Sequence, residues 1–297
     1  SLSTRALGEA LRQAKKLTGK GIDLLYLDAC SMAMAEVAYE VHDSVDYLLA
    51  SENTKWATFP YDELLPAVGT GLDARALGER WLATEVALLS RVPNIDYTFS
   101  LLSPAGMTEV ASATTTMVDA LQPLLPDQLV RIDEAIAATA RFDSNYDGLV
   151  DQADTYLDLY DLAQQIKTTF AENSAIVAAS LALQQAISAT VVSEYHQHTG
   201  NTLRTASQWE KLGGLSVYWP TSADEEKRLA LYSSLNLRWA TDSTWDEWLT
   251  SYWQSIEEHQ LTDLEQCAQT ANCPALTGWG FVDIPPGQLI FIPMVQK

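Results

Sequence analysis

Positive charge is scarce in this sequence, which has 18 Lys and Arg against 39 Asp and Glu and a formal net charge of -21 over 297 residues. A chain this acidic is repelled by phosphate backbones and by anionic lipid surfaces. Its composition therefore argues against nucleic-acid and membrane-surface partners and favours cationic ones. No apolar run reaches the length of a membrane span, and the first residues contain no apolar core of a signal peptide. The hydrophobic fraction of 47% allows a sizeable core in one or two domains.

Cysteine is also rare, with three in the chain. Cys267 and Cys273 lie close together in a turn-like stretch, whereas Cys30 lies far upstream. This spacing favours a small disulfide loop and one free thiol, and two unpaired loop cysteines are the alternative. No His or further Cys lies near the pair, so the spacing does not indicate a zinc site.

The start of the chain alternates between helical and apolar segments. An amphipathic helix is predicted over 4–16, an apolar strand over 22–28, a helix over 31–41 and a second strand over 45–50. This order predicts an α/β fold with a parallel sheet, whose strands are buried on both faces. Further patterns predict helices over 77–89, 107–140, 155–170, 174–195 and 245–260, and strands over 213–220 and 287–293.

Cys30 is the candidate nucleophile. It follows the first predicted strand and begins a predicted helix, and the positive end of a helix lowers the pKa of a thiol so that the reactive thiolate forms. A small buried apolar residue is the alternative role for a free Cys. A catalytic thiol also needs an imidazole to share its proton. Each of the four histidines is predicted near the carboxyl end of a helix, and none has a neighbourhood that marks a catalytic base: His42, His196, His198 and His259.

The residues around Cys30 resemble the clostripain family of cysteine peptidases. In that family an apolar strand is followed by Asp-x-Cys, a Met and Glu-Val-Ala-Tyr-Glu, and the same pattern occupies residues 24–40 here. Three further segments are similar to family elements and come in the family's order: 46–52, 156–163 and 214–220. The resemblance implies an α/β fold of the caspase-like type, a three-layer sandwich with a mostly parallel central sheet, helical insertions and a C-terminal extension.

The resemblance also implies a division of the chain and a reaction. Residues 1–220 would form the Cys-bearing part of the catalytic domain, and residues 221–297 an extension packed on it. Cys30 would attack the scissile carbonyl of a peptide or protein, backbone N–H groups would hold the oxyanion, and a histidine of a preceding His-Gly element would handle the proton.

Family members are often cut between that histidine and the cysteine. We therefore expect this chain to be the heavy chain of a cleaved precursor, whose upstream light chain carries the histidine and stays bound as a partner. This expectation accounts together for the missing initiator Met, the missing signal peptide and the missing histidine. A designed truncation is the alternative.

Substrate preference is expected from the loops around Cys30. Family members often cleave after Arg or Lys, which a carboxylate at the pocket floor binds through charge-assisted hydrogen bonds. Asp28 matches the family's pocket aspartate, and capping of the following helix is the alternative. The other predicted substrate-binding residues are Ser51, Glu52, Trp56 and Thr58. The family's second pocket acid is absent from the loop that carries Trp56 and Thr58, and Lys55 of this loop would oppose a basic side chain.

A polar loop over 143–154 fits the twelve-residue calcium-binding pattern, with Gly148 at the sharp turn. The predicted ligands are the side chains of Asp143, Asn145, Asp147, Asp151 and Asp154 and the backbone carbonyl of Leu149. Asp154 stands where the standard loop has Glu, and a solvated acidic turn is the alternative. We expect a structural calcium ion, which fits a secreted or extracellular protein of a bacterial or archaeal cell.

Three functions are compatible with these patterns. The expected one is a secreted cysteine endopeptidase of the clostripain type that is made as a self-processing zymogen. A calcium-dependent binding or surface module on an inactive peptidase fold is the first alternative, and the retained Cys30 argues against it. A non-proteolytic cysteine hydrolase or transpeptidase of similar fold is the second.

Overall fold

The structure is a computed structural model that describes residues 3–56, 58–144, 154–198, 209–220 and 225–270. Its helices are α1 (Thr4–Thr18), α2 (Ala35–Val41), α3 (Tyr61–Leu64), α4 (Ala74–Leu89), α5 (Met107–Leu121), α6 (Leu125–Ala138), α7 (Leu159–Thr169), α8 (Ser174–Thr190), α9 (Glu225–Ser234), α10 (Arg238–Ser243) and α11 (Trp245–Thr270). Its strands are β1 (Ile22–Tyr26), β2 (Val45–Ala50), β3 (Tyr97–Leu102), β4 (Arg141–Phe142), β5 (Tyr156–Asp158), β6 (Val191–Gln197) and β7 (Ser216–Tyr218).

Strands β1, β2, β3 and β6 form the main sheet, in that order. β1 and β2 pair in parallel, whereas β3 pairs antiparallel with both β2 and β6. The architecture is α/β as predicted, but a mostly parallel sheet is not confirmed in the described residues. The order β1, α2, β2 gives the parallel pair, whereas β3 follows β2 through α3 and α4 and nevertheless runs in the opposite direction.

Strand β1 differs from its prediction. The apolar run predicts a strand buried on both faces, but among the described strands β1 pairs with β2 alone. Ile22 and Asp23 are exposed, and the remaining residues of β1 are half-buried. The exposure follows from this edge position, because a strand with one paired neighbour is covered less than a central strand.

Helix α4 packs on strands β1, β2 and β3 of the main sheet. The buried apolar cluster between them contains Leu49, Leu82, Leu89, Tyr97, Phe99 and Leu101. Gly78 of α4 permits a close approach to the sheet, since a Cβ atom at this position would lie 2.6 Å from Leu101 Cδ1.

A second sheet consists of strands β4, β5 and β7, which pair antiparallel in that order. Strand β7 also contacts the segment that follows Cys30. Ser216 pairs with Met34 in an isolated bridge, and Ser216 N donates to Ala33 O at 2.9 Å. The predicted late strand over 213–220 is therefore confirmed, and it lies beside the segment that leads into α2.

The Glu-Val-Ala-Tyr-Glu segment forms helix α2 and joins it to its neighbours. Glu36 Oε1 accepts hydrogen bonds from Tyr218 N at 3.1 Å and from the Tyr232 hydroxyl at 2.9 Å. Glu40 Oε1 accepts a hydrogen bond from Arg238 N at 2.8 Å. Both glutamates are buried, and burial raises the pKa of Glu36 to about 7. The motif thus connects α2 with β7, α9 and α10, and it contributes to folding rather than to chemistry.

The remaining predicted elements agree with the structure to different degrees. The predicted helices over 4–16 and 77–89 are α1 and α4, and the predicted helix over 107–140 is divided into α5 and α6. The predicted helix over 174–195 is wrong beyond Thr190, because β6 begins there. The predicted helix over 155–170 likewise begins with a strand, β5.

The chain divides into two compact units, Ser1–Tyr252 and Trp253–Lys297. This division falls later than the predicted boundary after residue 220, which stays a prediction. Within the part of the chain that the structure describes, no helix combines the length and the apolar character needed to cross a bilayer. Cys273, the predicted disulfide partner of Cys267, and the predicted strand over 287–293 lie outside the described residues.

Candidate active site

Cys30 lies in a turn after β1, and helix α2 begins only at Ala35. The predicted helix over 31–41 therefore starts later than expected. Ser31 adopts a φ of 53°, in the left-handed region, which directs the chain away from a helical path directly after Cys30. The expectation that a helix amino terminus activates the thiol is wrong, because Cys30 does not begin α2. The alternative role of Asp28 as the cap of this helix is also wrong, because Met34 is the N-cap residue.

The carboxyl end of β2 holds this turn in place. Ser51 O accepts hydrogen bonds from Met32 N at 2.8 Å and from Ala33 N at 2.9 Å. The Ser51 hydroxyl donates to Asn53 O at 3.1 Å and lies 3.2 Å from Thr98 Oγ1. Ser51 has no exposed surface. The structure therefore favours a positioning role for Ser51 over the predicted direct contact with substrate.

The Cys30 thiol is half-buried and receives a backbone hydrogen bond. Lys55 N lies 3.3 Å from Cys30 Sγ and donates to it. Lys55 O also lies 3.9 Å from Cys30 Sγ and accepts a weak hydrogen bond from the thiol. The loop after β2 therefore contacts the sulfur with a backbone donor and a backbone acceptor, where a helix amino terminus was expected.

The histidines for which the structure gives partners are engaged elsewhere. His42 caps the carboxyl end of α2, as predicted, and its Nδ1 lies against Tyr39 O. His196 lies on strand β6, where its Nδ1 is 2.6 Å from Glu194 Oε1, and this hydrogen bond raises the pKa of His196. The positions predicted for His196 and His198 at the end of a helix are wrong, because α8 has already given way to β6 at these residues.

Asp28 forms an ion pair beside the thiol. Its Oδ1 lies 3.1 Å from Lys55 Nζ, and its Oδ2 accepts a hydrogen bond from the Tyr61 hydroxyl. The Asp28 side chain is 13% exposed and the Lys55 side chain is 2% exposed. The predicted pocket aspartate is therefore near the surface, but both of its oxygens have protein partners.

Lys55 also contacts a second buried carboxylate, Glu85 of helix α4. Its Nζ lies 3.4 Å from Glu85 Oε2 and donates to Thr58 Oγ1 at 2.9 Å. The Thr58 hydroxyl donates to Glu85 Oε2 at 2.7 Å, and the Tyr26 hydroxyl donates to Glu85 Oε1. Burial, together with the hydrogen bond to Glu85, raises the pKa of Tyr26. Thr58, which was predicted to bind substrate, thus belongs to an internal polar network.

Trp56 is the predicted substrate-binding residue with the most exposed side chain in this loop. It is 41% exposed, and its Nε1 donates to Asp96 O at 2.8 Å. This hydrogen bond fixes the orientation of the indole while leaving much of the ring open to solvent. Of the predicted set, Trp56 is therefore the side chain that a bound peptide can contact directly.

Glu52 lies in the interior. It has no exposed surface, and burial together with the nearby carboxylates of Asp158 and Glu194 raises its pKa well above the usual range. Asp158 caps α7 by accepting from Asp161 N at 2.7 Å and also accepts from Gly213 N at 2.7 Å. Burial raises the pKa of Asp158 to about 7. The structure therefore places Glu52 in a buried acidic cluster rather than at a surface that contacts substrate.

The predicted calcium loop is described only at its two ends. Asp154 is buried, and its Oδ1 accepts hydrogen bonds from Ser144 N at 2.7 Å and from Ser144 Oγ at 3.1 Å. Asn145, Asp147, Leu149 and Asp151 lie outside the described residues, whereas Asp143 is described. Over the described ranges no cluster of three or more His, Cys, Asp or Glu is placed to hold a metal ion. The two described ends of this segment are thus joined through Ser144.

Sequence reasoning missed Glu85 and its contact with Lys55. Glu85 lies in α4 at a position with no exposed surface, among the apolar residues that pack on the sheet. An acidic residue on the buried face of a predicted amphipathic helix is a signal for such a site, since a buried carboxylate requires partners. The sequence does not show which residue supplies them.

A half-buried thiol after a strand of an α/β sheet, with a backbone donor at the sulfur, is compatible with a nucleophilic cysteine. The family model described as the Clostripain family matches residues 1–269, and the chain belongs to this family. No curated protein matches the chain.

Solved structures are similar to this chain in fold. A cysteine protease of B. fragilis has a TM-score of 0.58 and 19% sequence identity, with 82% of this chain and 93% of that chain covered. A clostripain from Bacteroides thetaiotaomicron ATCC 29148, in complex with the peptide inhibitor BTN-VLTK-AOMK, has a TM-score of 0.55 and 13% identity, with 82% and 95% covered. An inactive zymogen C11 protease from Parabacteroides distasonis has a TM-score of 0.56 and 19% identity, with 78% of this chain and 61% of that chain covered.

These comparisons confirm three predictions. The chain is a member of the clostripain family, it has the caspase-like α/β fold of C11 proteases, and it is a cysteine peptidase. The assignment of individual site residues, of calcium, of secretion and of a second chain stays a prediction.

Proposed function

We propose that this chain carries the nucleophile Cys30 of a two-chain cysteine endopeptidase. The observation that supports this role is the hydrogen bond from Lys55 N to Cys30 Sγ in a turn held by Ser51 O. The thiolate attacks the scissile carbonyl, and the oxyanion is held by backbone N–H groups, among them that of Cys30. A histidine protonates the leaving amine, and water then hydrolyses the acyl-enzyme.

Replacement of Cys30 tests this proposal. Cys30→Ala should lower kcat/KM toward peptide substrates by at least about 10³-fold, because the nucleophile is lost. Ser112→Ala makes a similarly small change at an exposed residue of α5 and serves as the matched control, for which we expect unchanged activity. Equal activity of Cys30→Ala and the wild type would overturn the proposal and would favour a binding module. Transfer of the acyl group to added amines would reveal a transpeptidase.

The second part of the proposal is a separate upstream chain that supplies the histidine. Two observations support it. His42, His196 and His198 have partners other than Cys30. Among the strands that the structure describes, β1 pairs with β2 alone, so its other edge offers backbone groups to a further strand. Purification of the native enzyme followed by intact-mass measurement and amino-terminal sequencing should detect a second polypeptide with a His-Gly element. A Cys30-dependent peptidase that is active as one polypeptide would contradict this part.

The third part is a structural calcium ion in the loop over 143–154 of a secreted enzyme. The donor set of carboxylates, one amide and one carbonyl suits calcium, and the joined ends at Ser144 and Asp154 support a closed loop. When bound, the ion would stabilise the connection that leads into β5, away from the reaction itself. Extracellular calcium concentrations would keep such a site filled, which supports secretion, and recovery of the activity from culture medium tests that location.

Calcium binding should raise the thermal stability of the protein. A ligand at 100 times its Kd adds about 2.7 kcal/mol to the free energy of unfolding, so the melting temperature should rise by several degrees in calcium relative to a chelator. Asp147→Ala removes an oxygen ligand and should abolish this rise. Asp46→Ala makes the same change on an exposed residue and should retain it. If both variants respond to calcium equally, the assigned ligand set is wrong.

A preference for Arg or Lys before the cut was expected from Asp28. The inhibitor named with the Bacteroides thetaiotaomicron clostripain carries the sequence VLTK, which ends in lysine, and this supports such a preference for that protein. In the present chain, however, Asp28 pairs with Lys55. The expected preference for Arg or Lys therefore depends on whether Asp28 is available to a substrate side chain.

A further inference from the structure

The position of Lys55 relative to the thiol is unusual for a lysine. Its backbone N–H donates to Cys30 Sγ at 3.3 Å, so the residue begins directly beside the proposed nucleophile. Its side chain then turns inward, is only 2% exposed, and ends 3.1 Å from Asp28 Oδ1. A lysine at the edge of an active site normally keeps its ammonium in water. Here the ammonium is directed at the carboxylate that was predicted to select basic substrates.

The Lys55 ammonium is fully engaged by the protein. It lies 3.4 Å from Glu85 Oε2, and it donates to Thr58 Oγ1 at 2.9 Å and to Trp56 O at 3.0 Å. Together with Asp28, these groups exceed the three donors of an ammonium. A substrate cation that displaced Lys55 would give up its own hydration to make contacts that Lys55 already makes, and Lys55 would have to leave a site shaped around it. The exchange therefore adds no ion pair and does not favour a basic substrate side chain.

The carboxylates beside Lys55 are also satisfied. Asp28 Oδ2 accepts from the Tyr61 hydroxyl, and Glu85 accepts from the hydroxyls of Tyr26 and Thr58. Glu85 has no exposed side-chain surface. Each carboxylate oxygen of Asp28 and Glu85 therefore already has a protein partner, and none is left to bind the guanidinium or ammonium of a peptide. The internal lysine thus makes the contacts that a basic substrate side chain would make in an acidic pocket.

We infer that Lys55 is a specificity-determining residue that occupies the acidic pocket from within, so that this peptidase cleaves after uncharged side chains rather than after Arg or Lys. The inference rests on the proposed function, because it assigns the substrate class of the Cys30 site. Of the two rings near Lys55 Nζ, that of Phe59 at 5.9 Å is exposed and uncharged, whereas that of Phe99 at 5.7 Å is buried.

The test is a comparison of peptide substrates with the complete enzyme, including its upstream chain. The peptides share one sequence and differ only in the residue before the cut, which is Arg, Lys, Gln, Met or Leu. For the wild type, kcat/KM for the basic peptides should not exceed that for the best uncharged peptide. Lys55→Met keeps the length of the side chain and frees Asp28, so the ratio of basic to uncharged cleavage should rise at least about 10-fold.

Two further variants serve as a control and as a replacement for Lys55→Met. Lys20→Met removes an exposed lysine with the same charge change, and its ratio should equal that of the wild type. The double variant Lys55→Met/Glu85→Gln also removes the buried charge of Glu85, so Asp28 is then the one acid left of the two that contact Lys55. If Lys55→Met does not fold, the double variant is used in its place. The wild-type ratio is measurable whether or not any variant folds.

The outcomes separate the specificity from the proposed function. A wild-type enzyme whose kcat/KM for Arg or Lys peptides exceeds that for the best uncharged peptide, with that cleavage lost in Cys30→Ala, overturns the role of Lys55 and leaves the proposed peptidase intact. An unchanged ratio in the folded Lys55 variants also overturns it. Absence of any Cys30-dependent cleavage overturns both. A wild-type preference for uncharged residues that becomes basic on replacement of Lys55 supports both.

Discussion

Buried acidic side chains are a prominent feature of this protein at the scale of single residues. Glu36, Glu40, Glu52 and Asp158 are all buried, and each lies at a junction between elements. Because burial disfavours the charged form, the pKa values of Glu36 and Asp158 are each raised to about 7. Glu36 and Asp158 therefore change charge in the neutral pH range, and stability should depend on pH there.

Glu36→Gln should weaken this pH dependence. The pKa of Glu36 is raised from 4.5 to about 7 in the folded state, so the folded protein holds a proton between these values that the unfolded chain releases. The free energy of unfolding should thus fall as pH rises through this window, by up to about 3 kcal/mol for this residue. Urea unfolding at pH 5 and pH 8 measures the change. The difference between the two pH values should be smaller in Glu36→Gln than in the wild type.

The control for this measurement is Glu9→Gln, a change at an exposed residue of α1. Its unfolding free energy should keep the wild-type response to pH. Part of the response should also persist in Glu36→Gln, because the raised pKa of Asp158 acts in the same direction. If Glu36→Gln responds to pH as strongly as the wild type, the carboxyl of Glu36 does not titrate in this window.

At the scale of elements, close packing makes one glycine far more constrained than another. Gly214, just before β7, has a φ of 80°, and a Cβ there would lie 2.7 Å from Ser100 Oγ and 3.0 Å from Glu194 Cγ. Gly19 ends α1 with a φ of 73°, but a Cβ there would have no neighbour within 4 Å. Both positions disfavour other residues because of their backbone conformation, and only Gly214 adds a steric conflict.

The two glycines therefore form a matched pair for an alanine test. Gly19→Ala should lower the free energy of unfolding by about 1 kcal/mol, which is the cost of a left-handed alanine. Gly214→Ala should lose a further 1–3 kcal/mol or so, because β7 must move away from β3 and β6. Urea unfolding of both variants gives the comparison. Equal losses of unfolding free energy would show that the residues around Gly214 accommodate a Cβ atom without a further loss of stability.

Sequence patterns predicted helices and strands correctly where the residue types and the spacing of apolar residues indicate the same kind of element. The apolar run of β2 is bounded by polar residues and was predicted with its observed limits, and the helices α1 and α4 were found close to their predicted positions. Strand β6 was assigned to a helix because the apolar pattern of α8 continues into it without a Gly or Pro. The β-branched residues Thr190, Val191 and Val192 are the local sign of this change.

The site was less predictable than the fold. The proximity of Asp28 and Cys30 follows from their spacing, but the contact between Lys55 and Glu85 joins residues that are far apart in the chain. Such a contact depends on how α4 packs on the sheet, which no local pattern encodes. The start of α2 was also misplaced, since the left-handed conformation of Ser31 depends on the hydrogen bonds that Ser51 O and Asn53 O accept.

At the scale of the whole molecule, the dominant property is the net charge of -21. Repulsion between like charges destabilises the compact state, and salt weakens this repulsion as the Debye length falls from about 30 Å at 0.01 M to about 8 Å at 0.15 M. The melting temperature at neutral pH should thus rise by a few degrees between these NaCl concentrations. A chelator in both samples excludes an effect of calcium, and a constant or falling melting temperature would contradict the expectation.

The exposure of Trp56 has a consequence for the fluorescence of the protein. Trp56 is 41% exposed, whereas the other tryptophans that the structure describes are buried or half-buried. It also belongs to the loop that carries Lys55 and contacts the thiol. Its indole is therefore the one most accessible to a neutral collisional quencher such as acrylamide. If Trp56 binds substrate as predicted, a peptide that covers this loop should reduce quenching and shift the emission to shorter wavelength, and Trp56 would then report substrate occupancy.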